Sequence, residues 1–213
     1  MLNTPTLALP RQGGGEKGNP TAETVWLDKK LMTEDLFQLI IAGFGGQGIL
    51  FAGRLLAQSA MLEDKHVTWF PSYGAEIRGG TANCTIIISG ETIGSPVIRN
   101  PNTLLIMNTA SMERFVPQLK PGGLLIINTS LINSPQGRQD IEIIKIKATG
   151  IAEELGNPQV ANIVMLGALI GATGIVHPDS LFNALKVITP EHRKNLISLN
   201  IKALKAGAKE IEN

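Results

Sequence analysis

Apolar positions along the chain fall into blocks of two periods. LFQLIIAG at 36–43 is a continuous apolar run ending in glycine, the pattern of a strand buried on both faces of a parallel sheet. Beyond the glycines, ILFAGRLLAQSAMLED places apolar side chains at Ile49, Leu50, Leu55, Leu56, Ala60 and Met61, a spacing that predicts a helix packed on a sheet. HVTWF at 66–70 and the β-branched TANCTIIIS at 81–89 predict strands separated by a loop, PSYGAEIRGG at 71–80. The segment from Thr81 to Ile98 is expected to form an antiparallel hairpin at one edge, turning at Ser89-Gly90. TLLIMN (103–108), LLIIN (124–128) and IEIIKIKA (141–148) read as further strands. The helix SMERFVPQLK lies between the first two and the turn PGG at 121–123 closes it. Past Ala148 the pattern turns helical through TGIAEELG, VANIVMLGALIGATG, DSLFNALKVI and a last helix from about Glu191. Strands alternating with helices predict an α/β fold: a Rossmann-like, mostly parallel sheet flanked by helices, with a helical C-terminal part. Residues 1–34, rich in Gly, Pro, Thr and charge, are expected to be a flexible N-terminal extension, and 35–213 a single α/β domain.

Composition narrows the classes of function. Lys and Arg total 19 against 18 Asp and Glu, a net charge of +1, so no field attracts nucleic acid or an anionic membrane. Six Phe, two Trp and one Tyr offer few stacking platforms for single-stranded nucleic acid. The apolar stretch at 163–176 falls short of the ~20 residues that cross a bilayer and reads as a buried helix. The N-terminus lacks a basic region followed by an apolar run, and a soluble, cytoplasmic protein is expected. Cys84 is the single cysteine, and His66, His177 and His192 lie far apart. A disulfide framework, an all-cysteine cluster and a metal-ligand spacing are therefore all missing from the sequence.

The chemistry-bearing motif is GFGGQG at 43–48, directly after a strand and directly before a helix. Gly43, Gly45 and Gly48 satisfy the G-x-G-x-x-G spacing, Phe44 and Gln47 fill variable positions, and Gly46 is an extra glycine. Such a loop lets backbone N–H groups approach a phosphate at the positive end of a helix; it also serves as a tight turn that packs helix on sheet. Its place at the carboxyl edge of the sheet favours the phosphate. A nicotinamide site would want an acidic residue at the end of the second strand. That strand ends in Trp69-Phe70-Pro71-Ser72, with Glu63 and Asp64 on the wrong side of it and Glu76 in the loop beyond. No lysine follows the glycines as in a P-loop.

A second loop, SYGAEIRGG at 72–80, is expected at the same edge, where Arg78, Gly79 and Gly80 offer a fixed cation and approachable backbone. Tyr73, Glu76 and Arg78 equally suit a contact with a partner chain. Asn108-Thr109 and Asn128-Thr129-Ser130 follow the next two strands and either line the same crevice or cap helices, capping being expected of Thr109 and Ser111. No Cys–His pair and no G-x-S-x-G elbow presents a nucleophile. Cys84, inside a β-branched run, is expected to be a buried small hydrophobe, and adjacent Glu153-Glu154 do not face each other. No catalytic residue and no metal ligand is assigned to this chain.

The run IIAGFGGQGILFAGRLLAQSA followed by TWFPSYGAEIRGGTANCTIIIS resembles the gamma subunit of 2-oxoacid:ferredoxin oxidoreductases, over roughly residues 38–205. The SYGAEIRGGTANC form looks most like the 2-oxoglutarate members. The resemblance implies an enzyme that oxidatively decarboxylates a 2-oxoacid to an acyl-CoA and reduces ferredoxin. Thiamine diphosphate and iron–sulfur clusters would reside on partner alpha, beta and delta subunits. It also implies that the first glycine loop, Gly43 to Gly48, contacts coenzyme A, with Arg78 standing where single-chain relatives carry a lysine. Asn162 in QVANIVMLGAL fits the family pattern without a role. A stand-alone nicotinamide-binding protein and a purely structural subunit are the alternatives.

Overall fold

The computed structural model describes residues 36–73, 80–133 and 137–211; the expected N-terminal extension and the centre of the second glycine loop, Glu76, Arg78 and Gly79 among them, lie outside the described residues. Six strands, β1 (Leu36–Phe44), β2 (His66–Tyr73), β3 (Thr81–Ser89), β4 (Thr103–Ile106), β5 (Leu124–Asn128) and β6 (Glu142–Ile146), form one sheet in the order β2-β3-β1-β4-β5-β6. β1, β4, β5 and β6 are mutually parallel, and Ile41 of β1 stands opposite Leu105 of β4. β3 runs antiparallel between β1 and β2. This is the predicted mostly parallel α/β sheet with a helical C-terminal part.

The central strands carry apolar side chains on both faces because both faces are covered. Alternate residues of β1 part accordingly. Phe37, Leu39 and Ile41 join the larger core with helices α1 (Ile49–Met61), α4 (Ala161–Thr173), α5 (Pro178–Ile188) and α6 (Ile197–Lys209). Ile40 and Ala42 join the smaller one on the opposite face, with Met112 and Phe115 of α2 (Thr109–Phe115). α3 (Ala148–Glu154) packs beside α4. Helix α4 is buried from Ala161 to Ile170 on every side, because α6 closes over it at the small residues Gly167 and Gly207. The apolar run at 163–176 is thus the buried helix expected, and among the described residues no helix is long and apolar enough to cross a membrane.

Three local expectations change. The antiparallel hairpin exists, but its arms are β2 and β3, not β3 and the chain after Ser89. The residues after Ser89 form no strand up to Thr103, as Gly90, Gly94, Pro96 and Pro101 interrupt any ladder. β2 also runs on through Pro71 to Tyr73, where a loop was expected. Proline is tolerated there because β2 is an edge strand, pairing only with β3. The last helix begins as a 3₁₀ turn over Glu191–Leu196 and becomes α-helical at Ile197.

Candidate functional site

β1 delivers its glycines to the carboxyl edge of the sheet, where the chain has to leave the strand and enter α1 within four residues. Gly43 sits against β4: a side chain there would bring a Cβ to 2.9 Å from Met107 Cβ and 2.5 Å from Gln47 Oε1. The turn is closed by Gln47 itself, whose N–H donates to the Phe44 carbonyl at 3.1 Å and whose Oε1 accepts from the Phe44 N–H at 2.6 Å. Gly45 N–H donates to the Gly80 carbonyl at 3.1 Å. The first glycine loop is therefore tied to Gly80, the residue that leads into β3. Gly46 (φ +94°) and Gly48 (φ +73°) adopt the left-handed backbone that glycine favours. Among the described residues their two N–H groups have no acceptor, and Gly48 caps α1 without any side chain bonding its first turn. The consequence is a cluster of unspent amide donors at the positive end of a helix.

That cluster opens on a cleft of about 380 Å³ walled by α1, the 3₁₀ turn Pro158–Val160, the start of α4, the end of α5 and the turn before α6. Phe51, Ile163, Ile188 and Leu196 make its apolar part, while Asn157, Gln159, Asn162, Thr189 and Asn200 supply polar groups. Arg54 and Arg193 are its cations, with no carboxylate among the lining residues and no side-chain partner for either guanidinium among the described residues. Such a site selects an anion with an apolar portion. Asn162, without a role in the sequence, donates from Nδ2 to the Gly48 carbonyl at 2.9 Å, a carbonyl that also accepts the Ala52 N–H at 3.0 Å.

The other candidates lie deeper. Asn108, at the end of β4, is the cap of α2: its Oδ1 accepts the Ser111 N–H at 2.7 Å. Capping thus falls to Asn108 in place of Thr109 and Ser111, because the residue leaving the strand still has extended backbone (φ −152°, ψ 163°). Asn128, fully buried at the end of β5, donates to Thr149 Oγ1 at 2.9 Å and accepts the Ser130 N–H at 3.2 Å. Neither asparagine lines the cleft. Sequence reasoning missed Arg54, Arg193 and Thr189. Arg54 had a signal, the one charge in an otherwise uncharged helix and three residues beyond Phe51 on the same face; Arg193, brought from the far end of the chain, had none.

Cys84 is sealed in the larger core, where its Sγ donates to the Ile49 carbonyl at 3.8 Å, and burial pushes its thiol up to about 12, with the Trp69 indole acting the other way. A nicotinamide reading meets a topological obstacle. β3 lies between β1 and β2, so the neighbour of the glycine loop is the beginning of β3, with Gly80 and Thr81, and the end of β2 is displaced by a strand.

A family model described as pyruvate ferredoxin/flavodoxin oxidoreductase matches residues 38–210. The chain belongs to this family. Among family members, the ketoisovalerate oxidoreductase subunit VorA of Methanothermobacter marburgensis is 38% identical over 79% of this chain and 35% of its own length. The chain thus spans about a third of that relative's length. The 2-oxoglutarate synthase subunit KorC of Methanocaldococcus jannaschii is 36% identical over 76% of this chain and 90% of its own. The crystal structure of a keto/oxoacid ferredoxin oxidoreductase gamma subunit from Geobacter sulfurreducens shares the fold with a TM-score of 0.71 at 28% identity, covering 83% of this chain and 98% of that one. The 2-oxoglutarate:ferredoxin oxidoreductase of Magnetococcus marinus, solved with 2-oxoglutarate, coenzyme A and succinyl-CoA bound, gives 0.78 at 22% identity over 84% of this chain and 31% of that one, a likeness of fold.

Proposed function

We propose that this chain is the gamma subunit of a 2-oxoacid:ferredoxin oxidoreductase and that it holds coenzyme A at the first glycine loop and the cleft beside it. The observation that carries the reading is a cleft lined by Gly46 and Gly48, whose amides are unspent among the described residues, and by two arginines unpaired among them, with no carboxylate in the lining. The donor set fits the ligand: backbone N–H groups and guanidinium cations suit phosphates, and the apolar wall suits the organic part. Arg78, Gly79 and Gly80 extend the phosphate-binding edge on the sequence reading. When bound, coenzyme A supplies the thiol that takes up the acyl group. This chain binds and orients it, while thiamine diphosphate and iron–sulfur clusters belong to alpha, beta and delta partners in the cytoplasm.

The proposed 2-oxoacid is 2-oxoglutarate, supported by relatives of nearly the same length such as KorC and by the form of the second loop. The VorA relative, at 38% identity, favours a branched-chain 2-oxoacid as the second reading. Anaerobic affinity purification of the chain from its host, followed by native mass spectrometry and assay against both 2-oxoacids, tests the whole proposal. Co-purifying thiamine and iron–sulfur subunits with coenzyme A-dependent turnover of 2-oxoglutarate support it. Turnover of 2-ketoisovalerate alone overturns the substrate, and a lone chain without partners overturns the subunit role.

A further inference from the structure

Among the described residues, two buried side-chain atoms that line the cleft have no hydrogen-bond partner: Asn162 Oδ1 on α4 and Thr189 Oγ1 just after α5. Both residues are more than nine-tenths buried, at 4% and 8% exposure. Folds rarely keep a desolvated acceptor empty unless something else completes it. The orientation of the Asn162 amide is not free, because Nδ2 must face the Gly48 carbonyl it serves, and Oδ1 is thereby turned out of that bond. Asn162 is also packed so tightly on Gly48 that a Cβ on that glycine would overlap Nδ2.

We propose that Asn162 is the positioning residue of this site. Nδ2 holds the Gly48 carbonyl and so fixes the directions of the Gly46 and Gly48 N–H groups, which two left-handed glycines would otherwise leave loose. Oδ1 stands as a buried acceptor for an N–H or O–H of the ligand, and the hydroxyl of Thr189, a residue of the same cleft lining, is a second unpartnered group. The inference rests on the reading of the cleft as a coenzyme A site, and it adds what makes the loop rigid before the ligand arrives. Coenzyme A carries amide, amine and hydroxyl donors, so the acceptor has a partner of the right kind.

The test uses the assembled complex carrying Asn162→Asp, Asn162→Ala or Gly46→Asp. Coenzyme A affinity is measured by equilibrium dialysis, and hydrogen–deuterium exchange is followed over residues 43–53. A carboxylate cannot donate to the Gly48 carbonyl and sets a negative charge beside the phosphates. Asn162→Asp is therefore expected to weaken binding at least tenfold and more than Asn162→Ala. Both variants should lose the protection that coenzyme A confers on Gly46 to Ile49, while the KM for the 2-oxoacid stays within twofold. Asn162→Ala adds neither atom nor charge and keeps the question answerable if the Asp variant does not assemble. Were Asn162 only a space-filler, the near-isosteric Asp would be milder than Ala; that ranking overturns the inference. Wild-type affinity and protection in both Asn162 variants, with weakened binding in Gly46→Asp, overturn it too and leave the loop reading standing. Wild-type affinity in Gly46→Asp as well brings down the loop reading itself.

Discussion

Gly46 and Gly48 share a left-handed backbone, but only one of them is also pinned by a neighbour. A Cβ on Gly46 would meet nothing within 4 Å, whereas one on Gly48 would run into Asn162. Gly46→Ala is therefore expected to cost about 1 kcal/mol, the backbone term alone, and Gly48→Ala about 3 kcal/mol, strain plus overlap. Denaturant titration measures both, and in a double-mutant cycle Asn162→Ala should recover part of the Gly48→Ala loss. The glycine spacing was readable at this scale, because a turn between strand and helix advertises itself in local sequence. The Asn162 clamp was not, since its partner lies 114 residues away. Cys84 was also readable, a small side chain in a β-branched run, and its chemistry follows from burial. With its thiol held up near 12, it should resist iodoacetamide in the native protein at pH 8.5 and react at once in guanidinium, as mass spectrometry of the alkylated chain would show.

At the scale of elements, periodicity located every strand, and the two errors of extent have one cause. Whether Pro71 ends a strand depends on whether that strand has a neighbour on its other side. β3 inserts between β1 and β2 and leaves β2 at the edge, an arrangement that local pattern does not contain. The same insertion moved the hairpin from the far side of β3 to the near side. Helix α4 was legible as buried from its unbroken apolar run, but not what covers it. The answer is close backbone contact with α6, where a Cβ on Gly207 would overlap the Val164 carbonyl and one on Gly167 the Leu204 carbonyl. Each glycine thus stands for a helix–helix distance and not for a turn. Gly207→Ala should force the pair apart and cost about 3 kcal/mol. Gly150→Ala, in α3 with open space at its Cβ, should stabilise by about 0.5 kcal/mol by restricting the unfolded chain. Thermal unfolding of the two variants would give shifts of opposite sign.

Across the whole molecule, the cleft is closed by parts of the chain that are distant in sequence, so their mutual placement matters to the site. One polar staple ties α1 to α5 on the side away from the glycine loop. Glu63, in the turn after α1, accepts the His177 N–H at the start of α5 and pairs with Lys65 at 2.8 Å; Lys65 in turn donates to the Ile175 carbonyl. Burial raises the Glu63 carboxyl, but the bonds from Lys65, His177 and Ser180 outweigh it and hold the group below its ordinary 4.5. A carboxylate whose folded value is depressed stabilises the protein above its unfolded value and loses that contribution as pH falls through the folded one. Glu63→Gln should therefore be less stable than wild type by about 1 kcal/mol at pH 7, a modest figure because solvent partly reaches the pair. The gap should close as pH is lowered below 4.5. Urea titrations at neutral and acid pH would measure it, and a gap that stayed constant with pH would mean that Glu63 contributes packing and not charge. The staple bears on the cleft because α5 ends in Ile188 and Thr189, two of its lining residues. Loosening the start of α5 at low pH should thus raise hydrogen exchange at its far end, with β1 and β4, buried between the two cores, exchanging as before.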